Sequence, residues 1–90
     1  MEIKNDNIGR IYIKTKHGEA ELLYKIEDKV MSIYHTFTPD EDRGHGIAEK
    51  LAKTAFTFAE KRGLLVRPDC PYILYFVQKN KIYAKYLLKS

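Results

Sequence analysis

The chain has 90 residues, of which 44% are hydrophobic and 31% charged, and this length leaves room for one core and excludes a second domain. With seven Tyr and four Phe it is too aromatic for a disordered protein, so we expect residues 1–90 to fold as one domain. The net charge of +4 favours anionic partners. Because the basic residues are spread along the chain, a small polyanion fits at least as well as a nucleic acid.

The cysteine content and the N-terminal residues indicate a cellular location. Cys70, the one cysteine, excludes an internal disulfide framework, and the scattered histidines give no metal-ligand spacing. No apolar leader follows Met1, and no apolar run approaches the ~20 residues that are needed to span a bilayer. We therefore expect a cytoplasmic protein without a metal and without membrane contact.

Alternating side chains predict three strands in the first part of the chain. Residues 9–15 and 20–26 alternate apolar and polar side chains, which predicts a β-hairpin. A third strand is predicted over residues 30–38. Because both faces of this third strand carry apolar side chains, we expect it to be central in the sheet and covered on both sides.

The hydrophobic period then changes from that of a strand to that of a helix. Over residues 45–62 the apolar side chains fall within an arc of about 140°, which predicts an amphipathic helix that ends at Gly63. Residues 64–66 predict a short strand, which a right-handed crossover brings parallel to the third strand. Asp69 as N-cap and Pro71 in the first turn predict the start of another helix.

The C-terminal part has apolar residues at helical spacing around residues 72–77 and again around 82–87. Two short helices are therefore predicted to close the domain. Together these elements predict an α+β fold, with a mostly antiparallel four-stranded sheet, one βαβ crossover and short C-terminal helices.

Residues 43–48, with the sequence Arg-Gly-His-Gly-Ile-Ala, lie between the third strand and the long helix. Glycines let backbone N–H groups approach an anion closely, and a helix start offers unpaired N–H donors with a partial charge of roughly +0.5. Arg43 adds a fork-shaped donor for phosphate oxygens. The acidic residues 40–42 would repel phosphate, so we expect them to point to solvent, where they favour basic partner molecules.

The succession of motifs resembles the acetyl-CoA-binding region of the GNAT acyltransferase superfamily, whose pattern Q/R-x-x-G-x-G/A is matched within residues 43–48. More narrowly, the chain resembles the small single-domain GNAT-like N-acetyltransferases. Their motifs H-T-x-x-P, R-G-x-G-I-A and P-x-C-x-Y are met in the same order by residues 35–39, 43–48 and 68–72. The resemblance covers nearly the whole chain and implies a GNAT-like acetyl-CoA-binding domain over residues 1–90.

This resemblance implies that acetyl-CoA lies with its pyrophosphate over the loop and its pantetheine arm between the third and fourth strands. An amine acceptor, either a small molecule or a protein amine, would attack the thioester directly in a ternary complex. The implied cofactor-binding residues are Phe37, Thr38, Arg43, Gly44, His45, Gly46, Ile47 and Ala48.

The chain departs from the family pattern in its acid–base residues, because Phe37 stands where many relatives carry Glu and phenylalanine cannot take a proton. Two candidates for a catalytic role remain. Cys70 stands at a predicted helix start, and His35 is placed by alternation on the same strand face as Met31 and Phe37.

Two other functions stay open from the sequence. The first is a non-catalytic acyl-CoA-binding protein that kept the phosphate cradle and lost the base. The second, less favoured, is a small RNA-binding or interaction module, for which the C-terminal tyrosines interleaved with lysines would supply stacking and charge. At helical spacing the same tyrosines more simply form an amphipathic lid on the core.

Overall fold

The computed structural model describes residues 2–89, which form a five-stranded sheet whose spatial order is the order of the chain. Neighbouring strands are antiparallel except for the last pair, which is parallel. The α+β fold with a mostly antiparallel sheet and one βαβ crossover is therefore confirmed. The strands are β1 Ile3–Asn5, β2 Arg10–Thr15, β3 Gly18–Glu27, β4 Val30–Phe37 and β5 Leu65–Pro68.

The crossover helix α1, Ile47–Arg62, is the amphipathic segment that the apolar periodicity predicts. Gly63 ends it with φ 68° and ψ 31°, and the Gly63 N–H donates to carbonyl oxygens of the last turn. Helix α2, Pro71–Lys79, follows β5, and a 3₁₀ segment, Lys81–Tyr86, follows α2. Within residues 2–89 no helix combines the length and the apolarity that crossing a lipid bilayer requires.

The hydrophobic core lies between one face of the sheet and the helices. Phe56 of α1 is 1% exposed, and its ring centroid lies 5.9 Å from that of Phe76 and 5.1 Å from that of Tyr83. On β4, by contrast, Tyr34 is 45% exposed and Phe37 is 46% exposed. The prediction that the third strand is covered on both sides is wrong, because the described helices all pack on one face and leave the other face open.

A β-bulge interrupts β4 in the middle of the strand. Tyr24 of β3 pairs with Ile33, whereas the preceding Leu23 pairs with His35. Tyr34 is therefore an extra residue on β4 that has no partner on β3.

The inserted residue reverses the alternation of every side chain that follows it on β4. Thr36 pairs with the fully buried Leu22 and so faces the core, while His35 and Phe37 face the open side of the sheet. The prediction that His35 and Phe37 share a face with Met31 is wrong, because period-two alternation does not continue through a bulge.

Strand β1 is the element that the sequence did not predict, since three residues are too few to show an alternating pattern. The turn that follows it is built by one carboxylate. Asp6 Oδ1 accepts hydrogen bonds from the backbone N–H groups of Ile8, Gly9 and Arg10 at 2.8, 2.9 and 2.9 Å. These bonds, led by the one from Gly9, lower the pKa of Asp6 and return the chain antiparallel to β1.

The C-terminal segment differs from its prediction in type. Lys81–Tyr86 is a 3₁₀ segment and not a second α-helix, because Asn80, with φ −127° and ψ 73°, ends α2 and the next turn stays short. The Leu88 N–H then donates to the Val66 carbonyl at 2.8 Å. This bond holds the end of the chain against β5, which is also longer than the predicted residues 64–66.

Candidate functional site

The parallel strands β4 and β5 separate at one end of the sheet. Their pairing stops at Ile33 and Pro68, where the Asp69 N–H still donates to the Ile33 carbonyl at 3.0 Å. Beyond this point the bulge at Tyr34 turns β4 away, and β4 continues to Phe37. Within residues 2–89 this last part of β4 has no strand beside it on the β5 side, which opens a groove at the carboxyl ends of both strands.

Three adjoining cavities of about 270, 340 and 140 Å³ make up this groove. The first two share Thr38, Arg43, Ala48 and Tyr72, so they form one continuous channel. The smallest shares Tyr72 with both and continues along α2. The cavity beside β4 is lined by Thr36, Phe37, Thr38, Arg43, Ala48 and Tyr72.

The middle cavity is formed around the glycine loop and the N-terminus of α1. Gly44 and Gly46 have φ values of 87° and 75°, which side chains disfavour and glycine tolerates. The first paired N–H of the helix is that of Lys50, which donates to the Gly46 carbonyl at 3.1 Å, and no side chain caps the start. The N–H groups of the first turn therefore remain available to an anion in the cavity.

Arg43 stands at the mouth of this loop, and its side chain is 66% exposed. Its Nε donates to the Thr38 carbonyl at 3.4 Å, and its Nη2 lies 3.3 Å from Asp40 Oδ1. Two nitrogens of the guanidinium thus face the Thr38 carbonyl and the Asp40 carboxylate. The remaining part of the guanidinium adds positive charge beside the open amides.

The acidic turn at residues 40–42 corrects one expectation. Asp40 and Glu41 are exposed, as predicted, but Asp42 is only 5% exposed. Asp42 Oδ2 accepts the backbone N–H of His17 at 3.1 Å, and Oδ1 lies 2.9 Å from His17 Nδ1. The prediction that the whole acidic run points to solvent is wrong, because a tertiary partner from the β2–β3 turn binds the third carboxylate.

The bond between these two side chains shifts both pKa values. The pKa of Asp42 is lowered, mainly because Asp42 accepts a hydrogen bond from His17. The hydrogen bond to Asp42 is likewise the main reason that the pKa of His17 is raised. Each shift favours the charged form of its group, so the two side chains form an ion pair over a wider pH range than the isolated groups would.

Cys70 lies at the start of α2 as its N-cap, with Pro71 in the first turn. Asp69, which the sequence indicates as the cap, instead pairs with Arg67 at 3.1 Å. The Cys70 side chain is 6% exposed, and its Sγ lies 3.4 Å from Thr36 Oγ1. Through Thr36, which lines the groove, Cys70 is connected to the site from the core side.

His35 lies on the opposite face of β4 from Thr36. Its Nε2 is 3.5 Å from Glu21 Oε2, and its side chain is 47% exposed. The two residues that the sequence singles out for catalysis, Cys70 and His35, are therefore separated by the strand. Neither is among the residues that line the groove.

Most of the predicted cofactor-binding residues do line the groove. His45 is the exception, since it is exposed on the loop and lines none of the three cavities. The side chain of Ile47 is buried at 6% exposure, so what it offers a ligand is its backbone. The lining residues from the predicted set are Phe37, Thr38, Arg43, Gly44, Gly46, Ile47 and Ala48.

Tyr72 and Tyr75 of α2 are groove residues that sequence reasoning missed as site residues. Tyr72 lines all three cavities, and Tyr75 lines two of them together with Glu49. Burial is the main cause that raises the pKa of Tyr72, so its phenol stays protonated at neutral pH. The signal was present in the P-x-C-x-Y motif, whose last position is Tyr72.

The C-terminal tyrosines do not form one exposed stacking surface. Tyr83 and Tyr86 pack against Phe56 at centroid distances of 5.1 and 6.3 Å, and Tyr86 donates its hydroxyl hydrogen to Glu60 at 2.6 Å. This packing is the one expected of an amphipathic lid. It disfavours the nucleic-acid surface that their spacing with lysines suggested.

Together these features define a class of protein: an α+β domain in which two parallel strands diverge beside a glycine loop at a helix N-terminus. Such a groove suits a phosphorylated ligand with a long, amide-containing arm. The chain belongs to the GCN5-related N-acetyltransferase family, whose model matches residues 10–86. Members of this family generally use acetyl-CoA, and the resemblance that the motifs indicated is confirmed.

Relatives of the chain include Protein NATD1 of Bos taurus and of Xenopus tropicalis, each 39% identical over 67 residues, and Protein NATD1 of Homo sapiens, 37% identical over 67 residues. Each alignment covers 73% of this chain and 59%, 62% and 59% of the respective relative. The chain thus spans about three fifths of the length of these relatives.

The fold is also similar to the NMR solution structure of a GCN5-like protein from Staphylococcus aureus. The TM-score is 0.79 at 26% sequence identity, and the match covers 99% of this chain and 89% of that one. The likeness therefore extends over all the elements that form the groove.

Proposed function

We propose that this chain binds acetyl-CoA in the groove and transfers the acetyl group to an amine acceptor. The observation that carries the proposal is the open N-terminus of α1, where left-handed glycines place uncapped N–H groups on a groove next to the diverging strands. Membership of the GCN5-related family supports an acetyltransferase-type function. The transfer itself and its amine acceptor are our proposal for this chain.

The loop fits a pyrophosphate on steric as well as electrostatic grounds. A Cβ added to Gly44 or Gly46 would meet no heavy atom within 4 Å, so the space in front of both backbone segments is free. The loop amides and the partial positive charge of the helix start both favour an anion there. Arg43, Gly44, Gly46, Ile47 and Ala48 would hold the pyrophosphate.

The order of the cavities matches the order of groups in the coenzyme. The cavity at Thr36 and Phe37 offers the unpaired backbone edge of β4 to the amides of a pantetheine arm. The smallest cavity, beyond the loop, contains Tyr75 and Lys79, whose Nζ lies 5.4 Å from the Tyr75 ring centroid. There Tyr75 would stack on the adenine and Lys79 would pair with the 3′-phosphate.

When bound, acetyl-CoA supplies an acetyl group that is activated as a thioester. The chain supplies the proton transfers. Tyr72 lines the groove, and its phenol would donate a proton to the departing CoA thiolate. The Cys70 thiol, 3.4 Å from the Thr36 hydroxyl, would be a second source of this proton and would pass it through that hydroxyl. His35, which lies beside Glu21 on the open face, would accept the proton that the amine loses.

Two observations favour the alternative of a non-catalytic acyl-CoA-binding protein. Phe37 stands on the open face beside the groove with 46% of its surface exposed, and it cannot serve as a base. His35 and Cys70 lie on opposite faces of β4. Tight acetyl-CoA binding without turnover over a broad panel of amines and peptides would establish this alternative.

Binding is tested first by a backbone amide NMR titration of the labelled chain with acetyl-CoA, with CoA and a short RNA as comparison ligands. We expect the largest shifts at residues 36–38, 44–49 and 70–75. Shifts on the outer face of β2 and β3 only, or a response to RNA alone, would refute the groove as the coenzyme site. A turnover assay that follows CoA release then separates the transferase from the binding protein.

A further inference from the structure

One partly buried ion pair lies next to the anion-binding loop and has no part in the proposed proton transfers. It joins Asp42, which is 5% exposed, to His17, 25 residues earlier in the chain. Both carboxylate oxygens of Asp42 are engaged by His17, one by the backbone N–H at 3.1 Å and the other by the ring at 2.9 Å. Because a carboxylate only accepts hydrogen bonds, His17 Nδ1 is the donor.

Asp42 also belongs to the groove. It lines the middle cavity together with Arg43, Gly44 and Gly46, and its N–H donates to the Pro39 carbonyl at 2.9 Å in the 3₁₀ turn that leads into the loop. A carboxylate at this position repels a phosphate, and the repulsion is stronger in a partly desolvated groove than in water. The chain therefore places a negative charge beside its own anion site.

The protonated imidazole of His17 offsets this charge. The other charged group that acts on His17 is Glu41 of the same acidic turn, and Lys16 and Glu19 flank it on the hairpin. Glu19 is itself paired with Arg10 at 2.7 Å. The charges around His17 thus favour its imidazolium form. The protonated His17 and the ionised Asp42 then carry no net charge together beside the phosphate.

We propose that His17 is a positioning residue for the coenzyme, which fixes the acidic turn through Asp42 and, while protonated, neutralises the carboxylate beside the phosphate site. The inference rests on the proposed function, since the anion is the coenzyme pyrophosphate. It predicts that affinity for the coenzyme falls as His17 loses its proton. It also predicts the reciprocal effect, that the bound coenzyme makes His17 harder to deprotonate.

The probe is acetyl-CoA that lacks the 3′-phosphate, because the second ionisation of a phosphate monoester near pH 6 would otherwise overlap with that of histidine. Isothermal titration calorimetry between pH 6 and 9 should show the dissociation constant rising by about threefold to tenfold, the range expected of one partly screened charge. His17→Gln keeps a hydrogen-bond donor without the charge. This variant should show nearly constant affinity, close to the high-pH value of the natural chain.

Lys16→Gln is the matched control, since it removes a positive charge from the same turn without touching Asp42. It should keep the pH dependence of the natural chain. His45→Gln tests the histidine of the glycine loop itself and should keep that dependence as well. If the dependence disappears in His45→Gln and persists in His17→Gln, the assignment to His17 is wrong.

A second measurement needs no variant. NMR titration of the His17 ring in the free and in the saturated protein should give a pKa that is higher in the complex by about half a unit to one unit, the shift that corresponds to threefold to tenfold in affinity. An unchanged ring titration overturns the proposal. The proposal is also overturned if His17→Gln lowers the affinity by the same factor at every pH, because the pH dependence would then persist without His17 and the role of His17 would be structural alone.

The failure of this inference differs from the failure of the proposed function. If the probe binds at every pH with constant affinity, the coenzyme site stands and the role of His17 is refuted. If neither the probe nor acetyl-CoA binds at any pH, both ideas fall together.

Discussion

Replacing Gly46 by alanine tests whether the anion-binding loop depends on a left-handed residue at the start of α1. Gly46 has φ 75° and ψ 15°, and an added Cβ would meet no heavy atom within 4 Å, so the substitution strains the backbone without a steric clash. Gly63 is the matched control. It has φ 68° and ψ 31° and the same free space, but it lies at the other end of α1.

The cost to stability follows from the backbone geometry. A left-handed conformation costs an L-residue about 1–2 kcal/mol, and about 0.4–1 kcal/mol returns because alanine restricts the unfolded chain. Both Gly46→Ala and Gly63→Ala should therefore lose about 1 kcal/mol, which lowers the Tm of a domain of this size by about 4–8 °C. Thermal unfolding followed by circular dichroism measures this loss.

Affinity should separate the two variants. The strain at position 46 is relieved by turning the loop, which moves the open N–H groups, so Gly46→Ala should weaken acetyl-CoA binding by about fivefold for each kcal/mol lost. Gly46→Asp adds a carboxylate, whose repulsion of a phosphate is about 1–4 kcal/mol at 4 Å, and should weaken binding at least tenfold. Gly63→Ala should bind normally. If calorimetry shows that Gly46→Asp binds as tightly as Gly63→Ala, the loop does not hold the phosphates.

Three further outcomes follow from the groove and its supporting contacts. Lys79→Ala should weaken acetyl-CoA by about tenfold and leave the affinity for the form without the 3′-phosphate unchanged, as measured by calorimetry. Cys70→Ala should lower kcat by about tenfold or more with little change in KM, since a proton-transfer group acts in the transition state. Asp42→Asn should flatten the pH dependence of the free energy of unfolding in urea. In the natural chain the lowered pKa of Asp42 adds stability that is fully present above the usual carboxyl pKa of about 3.9. This stability is lost as the pH falls from that value through the lowered pKa of the folded state. The raised pKa of His17 adds stability that is present below about pH 6.5 and lost as the pH rises through the raised value.

The lysine and cysteine outcomes each have a comparison variant within the chain, and the Asp42 outcome has a result that would contradict it. Lys81→Ala removes a nearby positive charge that lies outside the lining of the smallest cavity, and an equal effect of both lysine variants would argue against a specific contact between Lys79 and the 3′-phosphate. Thr36→Val should reproduce the loss of kcat in Cys70→Ala if the sulfur acts through the hydroxyl. Full activity of Cys70→Ala would remove Cys70 from the mechanism. An unchanged acid limb in Asp42→Asn would mean that another carboxylate controls acid unfolding.

The regular parts of the fold could be predicted because their signals are local. The apolar period of α1 and its glycine end, the alternation of β2 and β3, and the loop at residues 43–48 each depend on residues that lie close together in sequence. The family resemblance added the location of the coenzyme groove, and seven of the eight predicted cofactor residues line it. His45 does not, because a spacing motif does not state which loop side chains turn outward.

The sequence by itself determined the fold class, the order of its main elements and the position of the glycine loop, since propensity and periodicity act within one segment. The tertiary structure alone decided the bulge at Tyr34, which turns His35 away from the core and Thr36 towards Cys70. It alone paired His17 with Asp42. Such features depend on how one strand matches its neighbour and on which distant turn packs behind a loop, and neither pairing leaves a periodic trace in the chain.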